Sequence, residues 1–263
     1  MAIELPKTKI PAETQDPKYL ILFGLPKVGK TTILSTLENN LILDMENGST
    51  YVDALKVKIT SLKDLKEVCK AIREAGNPYK YITIDTITAV EEMAKPLAIN
   101  LYQQSPMYSD KYADVKDPTK LPNGSGYAFL RDGIEMIIDM VSKCAPNIII
   151  CGHVKDAALN EAAANNVKTL DLTGKISRIL SAKSDAIGFV HRDENSNLCI
   201  QFGTDGEVLT GARPKSESKL GVLNERSTNF FTSFSEKPKV VNVSVTPTDC
   251  NQVLTFSAAI SVS

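Results

Sequence analysis

One stretch constrains the fold of this 263-residue chain more than any other: residues 24–31 read GLPKVGKT. This is the full G-x-x-x-x-G-K-[ST] pattern, and it sits between an apolar run ending in glycine, KYLILFG, and TTILSTLENN, whose apolar residues recur at helical spacing. A buried strand that feeds such a loop and then a helix lets successive backbone N–H groups turn inward, where phosphate oxygens can be cradled. Gly24 and Gly29 permit the curl, and Leu25, Pro26, Lys27, Val28 and Thr32 complete the cradle. Lys30 supplies a flexible point charge for terminal phosphates. Thr31 offers a hydroxyl to Mg²⁺, which keeps several waters and needs few protein ligands. ATP and Mg²⁺ are therefore the expected ligands.

The rest of the chain alternates in the same manner. LILDMENG reads as a second buried strand, LKDLKEVCKAIREAG as an amphipathic helix closed by Gly76, and YKYITIDT as a third strand. TAVEEMAKPLAINLYQQ is helical with a kink or break expected at Pro96, YAFLRDGIEMIIDMVSKC is another helix, and NIIICGH is a fourth apolar strand. KISRILSAK is a short helix, while DAIGFVHR and NLCIQFG are strands separated by DENS. The pattern predicts an α/β fold, a mostly parallel sheet flanked by helices with a C-terminal β extension. Residues 1–17, with three prolines, read as an extended arm, 18–235 as the main domain, and 236–263 as a tail or edge strands. Residues 104–126, rich in Pro, Gly, Asp and Tyr, read as a long loop that could act as a lid or a partner contact.

Composition excludes several function classes. Lys+Arg 30 against Asp+Glu 31 gives a net charge of −1, so the chain is no polycation, although a local basic groove can hide within a neutral total. Five cysteines without a CxxC pair or finger spacing suit free buried thiols better than a metal centre. With only His153 and His191, a site built on several imidazoles is out of reach. No apolar run approaches the roughly 18 residues that span a bilayer, and MAIELPKTKIPAET lacks an apolar signal core, so a cytoplasmic protein is expected.

The carboxylates point to chemistry. Asp85 ends the strand YITIDT, where it can hold the Mg²⁺ shell together with Thr31. Hydrolysis of a triphosphate also needs a group that positions the attacking water. Thr86 follows Asp85 directly, and Glu91 and Glu92 come more than a helical turn later, whereas LILDMENG offers Asp44 and Glu46 at the end of the strand after the loop's helix. This placement resembles that of RecA-type ATPases, and it nominates Glu46 as the base with Asp44 as second choice or a plain turn carboxylate as the alternative. His153, at the end of NIIICGH, falls beside Asp85 and near the terminal phosphate, where a neutral imidazole can donate a bond that exists only while that phosphate is present. A structural histidine at a strand end is the other reading.

Taken in order and spacing, GLPKVGKTT, LILDMENG, YITIDT and NIIICGHVKD resemble the phage-type RecA-like P-loop ATPases, including small annealing and recombination proteins. The resemblance covers roughly residues 18–215. It implies a RecA-like core, ATP held at an edge between subunits of a homo-oligomeric ring or filament, and assistance in pairing single-stranded DNA, with a single-strand-binding protein as a further partner. It also implies a Lys or Arg completing the site from a neighbouring subunit, for which Arg213 in GARPK is the preferred source among Lys155, Lys175, Arg178, Lys183, Arg192 and Lys215.

For DNA contact, Tyr102, Tyr108, Tyr112 and Tyr127 with Lys111, Lys116 and Lys120 could form a basic stacking track, diluted by Asp110, Asp114 and Asp117. HVKDAALNEAAANNVK, after the fourth strand, is a second candidate. A GTPase fits poorly, since HVKD lacks the Asn and Lys of NKxD and Thr88 replaces the Gly of DxxG. A small-molecule kinase would usually bring an arginine-rich lid, and 104–126 holds no arginine. A DNA motor or loader, or a non-hydrolysing ATP binder, stays open at this point.

Overall fold

The computed structural model describes residues 17–158, 166–193, 198–203 and 206–213, together with residues 8, 196, 244–245 and 258–259. Its elements are β1 (Tyr19–Gly24), α1 (Lys30–Ser35), β2 (Asn40–Asp44), β3 (Leu55–Lys58), α2 (Leu62–Glu74), β4 (Tyr81–Asp85), α3 (Ile87–Gln103), α4 (Ser125–Ser142), β5 (Asn147–Ala158), β6 (Asn166–Leu170), α5 (Ile176–Lys183), β7 (Ala186–Arg192), β8 (Leu198–Gln201) and β9 (Gly211–Ala212).

Strands β1, β2 and β4 are apolar runs buried on both sides, which is what a parallel strand between helical layers demands. They assemble in the order β3-β2-β4-β5-β1-β7-β8, parallel from β3 through β7, with β8 turning back antiparallel. β6 pairs antiparallel with the outer half of β5, and β9 with the first residues of β7. The expected α/β architecture and its β extension are thus realised. One apolar layer joins the sheet to α2, α3, α4 and α5; the other packs Ile33, Leu34 and Leu37 beneath Leu20, Leu22, Ile149 and Val190.

Several local expectations are corrected. α1 closes at Ser35, six residues long, because Thr36 and the turn that leads to Asn40 end the pattern that TTILSTLENN suggests. α3 runs unbroken through Pro96. β5 does not stop at His153 but continues to Ala158, where it forms a hairpin with β6 whose tip, 159–165, lies outside the described residues. The stretch 104–126 is no open loop: it folds into short turns at Asp110–Tyr112, Pro118–Lys120 and Pro122–Gly124, and Gly126 lies so close to the Pro118 carbonyl that a Cβ would sit 1.6 Å from it. Cys69, Cys144, Cys151 and Cys199 are buried free thiols, as expected, and Cys250 lies outside the described residues. Almost all of the arm 1–17 and the tail 236–263 fall outside the described residues; within the tail, Ser244–Val245 and Ala258–Ala259 form a two-residue antiparallel pair.

Candidate nucleotide-binding and hydrolysis site

Strand register brings the chemistry to one end of the sheet. Gly24, the last residue of β1, lies level with His153 on β5 and with Val190 on β7. Asp44 and Asp85 are direct partners across β2 and β4, and the Met45 amide donates to the Asp85 carbonyl at 2.8 Å. The residues after these strand ends therefore share one rim, the usual place for a ligand in an open parallel sheet.

The loop itself tolerates only glycine at two points. A Cβ on Gly24 would lie 2.2 Å from the Val190 carbonyl oxygen, and Gly29 takes φ 117°, with Leu198 of β8 where its Cβ would be. Inside the curl, the Lys30 ammonium donates to the Gly24 carbonyl at 3.1 Å and the Leu25 carbonyl at 2.9 Å, and the residue is only 6% exposed. Burial lowers its pKa against the opposing pull of Cys151, Asp85 and Glu46. Cys151, read above only as a buried thiol, lies fully buried on β5 near Lys30 and Asp85, and burial raises it well above its ordinary value. A lysine held this way is loaded toward the hollow by carbonyls that bind it less strongly than phosphate oxygens would.

Thr31 Oγ1 donates to Asp85 Oδ2 at 2.8 Å. Burial raises Asp85, outweighing the Thr31 hydrogen bond and the Lys30 charge that act the other way. A hydroxyl and an under-compensated carboxylate, both hard oxygen donors on the loop's rim, fit Mg²⁺ and its water shell. The Asp85–Thr86 peptide is cis.

The two acids after β2 part company. Asp44 is buried and accepts the backbone N–H groups of Glu46, Gly48 and Ser49 at 3.2, 3.2 and 3.0 Å, as well as the Ser49 hydroxyl. Burial alone would raise it, but these bonds prevail and hold it below the ordinary carboxylate range. Its oxygens are spent on shaping the turn, which removes Asp44 from contention as the base. Glu46 instead projects across the rim: Thr86 Oγ1 donates to its Oε1, and His153 Nε2 lies 3.3 Å from its Oε2. Glu91 is buried in α3 and accepts the Thr173 N–H at 2.9 Å, while Glu92 pairs with Lys95 on the surface. Neither approaches the loop's machinery.

Arg213 is not brought to this rim. It follows β9, which pairs with Ala186 and Ile187 at the start of β7, four residues before the Val190 that flanks Gly24. Its guanidinium reaches Asp185 Oδ1 at 3.8 Å and the Ala182 carbonyl, so it has no path to its own chain's loop. Of the tyrosines considered for stacking, Tyr102 is fully buried against Tyr108 and Phe129 and cannot present a face to a base. Tyr108 and Tyr127 stay exposed, and Lys111 lies over the Tyr112 ring.

A family model for an AAA domain matches residues 16–221, the whole of the sheet and its loops. The chain belongs to the AAA-domain family. Its rim is therefore that of a P-loop ATPase, and the AAA domain here carries the loop, the Thr31–Asp85 pair and Glu46 on one sheet edge. No curated protein is matched. Among solved structures, the RadB recombinase is similar at 12% identity and a TM-score of 0.36, over 68% of this chain and 77% of that one. A KaiC-like protein from the hyperthermophilic archaeon Pyrococcus horikoshii OT3 is similar at 12% identity and a TM-score of 0.37, over 70% and 76%. Among the described residues, no helix is long and apolar enough to cross a membrane.

Proposed function

We propose that this chain is a Mg²⁺-dependent ATPase of RecA type that acts on single-stranded DNA, as phage-type recombination and annealing ATPases do. The observation that carries the hydrolytic part is the placement of Glu46 on the loop's rim, tied to Thr86 and His153, while the neighbouring Asp44 is consumed by its turn. Lys30, freed from the Gly24 and Leu25 carbonyls, meets the charge of the terminal phosphates. Thr31 and Asp85 would hold Mg²⁺, which supplies neutralisation of phosphate charge. Glu46 takes a proton from the water whose oxygen bonds to the terminal phosphorus as the bridging P–O bond breaks, leaving ADP and phosphate. His153 turns its Nε2 from Glu46 toward the terminal phosphate and reports its presence.

Arg213, at the opposite end of the sheet, serves a neighbouring subunit's site in a homo-oligomer. Single-stranded DNA, with a single-strand-binding protein as its other occupant, is the partner that the RecA-type reading brings. Lys111, Lys116 and Lys120 with Tyr108 and Tyr127 support a contact there, as does the β5–β6 hairpin.

The test is phosphate release by the purified chain with ATP and Mg²⁺, with and without single-stranded DNA, alongside Glu46→Gln. DNA-stimulated turnover that Glu46→Gln lowers by about 10²- to 10⁴-fold, with nucleotide still bound, is the expected result. DNA-indifferent turnover would favour a motor or a kinase, and unchanged turnover in Glu46→Gln would remove Glu46 from the role.

A further inference from the structure

Thr86 occupies the N-cap of α3, a position where a threonine normally turns its hydroxyl oxygen onto a free N–H of the first helical turn, a bond that stabilises the helix by about 1 kcal/mol. Here it makes no such cap. The residue is buried, 2% exposed, and its hydroxyl proton is directed at Glu46 Oε1 instead. The helix forgoes a local stabilising bond so that a donor can reach the carboxylate across the rim.

The second contact on the same carboxylate is of a different kind. His153 Nε2 stands 3.3 Å from Oε2, and since a carboxylate only accepts, Nε2 must carry the proton. Its Nδ1 is buried with no hydrogen-bond partner among the described residues. Among the described residues no hydrogen bond at Nδ1 holds the ring, so turning Nε2 away from Glu46 breaks one long hydrogen bond. Thr86 has no such freedom: its backbone is locked between β4 and α3, and its carbonyl accepts from the Val90 N–H.

We infer that Thr86 is a positioning residue for Glu46, an immobile anchor that keeps Oε1 in place while His153 releases Oε2. The anchored carboxylate then presents its freed oxygen to water in one orientation, and only when His153 has left. This rests on Glu46 being the base, and the experiment keeps the two ideas apart. Steady-state ATP hydrolysis and nucleotide binding are measured with Mg²⁺ for the full chain and for Thr86→Val, Thr86→Ser, Glu46→Gln and the Thr86→Val/Glu46→Gln pair.

Thr86→Val is expected to lower kcat by about 10- to 100-fold with KM for ATP nearly unchanged, the signature of an interaction that matters only during reaction. Thr86→Ser, which keeps the hydroxyl, restores most of the rate. In the Glu46→Gln background, adding Thr86→Val has little further effect, because the two act as one unit. Should the valine disturb folding, seen as a lowered melting temperature, Thr86→Ala removes the hydroxyl without added apolar bulk and is held to the same split. A wild-type kcat in the variants lacking the hydroxyl, or losses that multiply in the pair, overturns the anchor while leaving Glu46 as base; full turnover in Glu46→Gln alone overturns the base itself.

Discussion

Lys30 and Asp44 are both buried polar residues at the rim, yet removing each should fail in a different way. Lys30→Ala deletes an ammonium that donates to two carbonyls and, in the proposed function, serves phosphate, so phosphate release should vanish while the thermal unfolding midpoint stays near that of the parent. Asp44→Ala deletes the acceptor of three N–H groups and a hydroxyl in one turn, and the stranded donors should cost about 2–4 kcal/mol in denaturant unfolding. Its depressed pKa gives the sign of the acid dependence. The bonds stabilise the charged form, so their contribution is complete at neutral pH and fades as pH falls below the ordinary carboxylate range. An acid titration of stability, parent against Asp44→Ala, should therefore converge only at the acid end. From the sequence alone the two acids of LILDMENG were separable in rank but not in kind, since what distinguishes them is which N–H groups the following turn aims at Asp44.

At the level of elements, α3 is joined to the segment before α5 by the Glu91–Thr173 bond. Glu91→Ala should leave that partly buried N–H unpaired and lower stability by about 1–2 kcal/mol, with hydrolysis per folded molecule preserved; a lost kcat at parental stability would reopen Glu91 as a chemical residue. The strands legible in the sequence were the fully buried ones. YLILFG, NLILD and YITID announce themselves by unbroken apolar runs, and their parallel pairing places Gly24, Asp44 and Asp85 together. β3 was invisible because LKVK is an edge strand with two lysines and mostly exposed positions, and β6 because NVKTL follows an alanine- and asparagine-rich stretch without a turn signal. The candidate site was legible to the same extent: spacing nominates the loop and the Thr31–Asp85 pair, and the RecA-type resemblance nominates Glu46 as the proposed base, whereas the Thr86 contact depends on a cap that the helix does not make.

For the molecule as a whole, Arg213 and the loop lie at different ends of one sheet, which makes subunit assembly testable by mixing. Arg213→Ala and Lys30→Ala should each be inactive alone. Combined, they should regain a measurable fraction of phosphate release, because some interfaces then pair an intact loop with an intact arginine; no recovery at any ratio would count against action in trans. Binding to single-stranded DNA should weaken steeply between about 50 and 200 mM salt if backbone phosphates dominate. Beside this, the sheet ends at β3, whose outer side has no neighbour among the described strands, whose own Leu55 is exposed and before which Tyr51 also stands exposed. Lys56 and Lys58 are the guards of that rim. Exchanging Lys56 and Lys58 together for valine would leave an uncharged, hydrogen-bond-hungry ribbon in water, so such a protein should clump on storage long before its catalytic end loses shape.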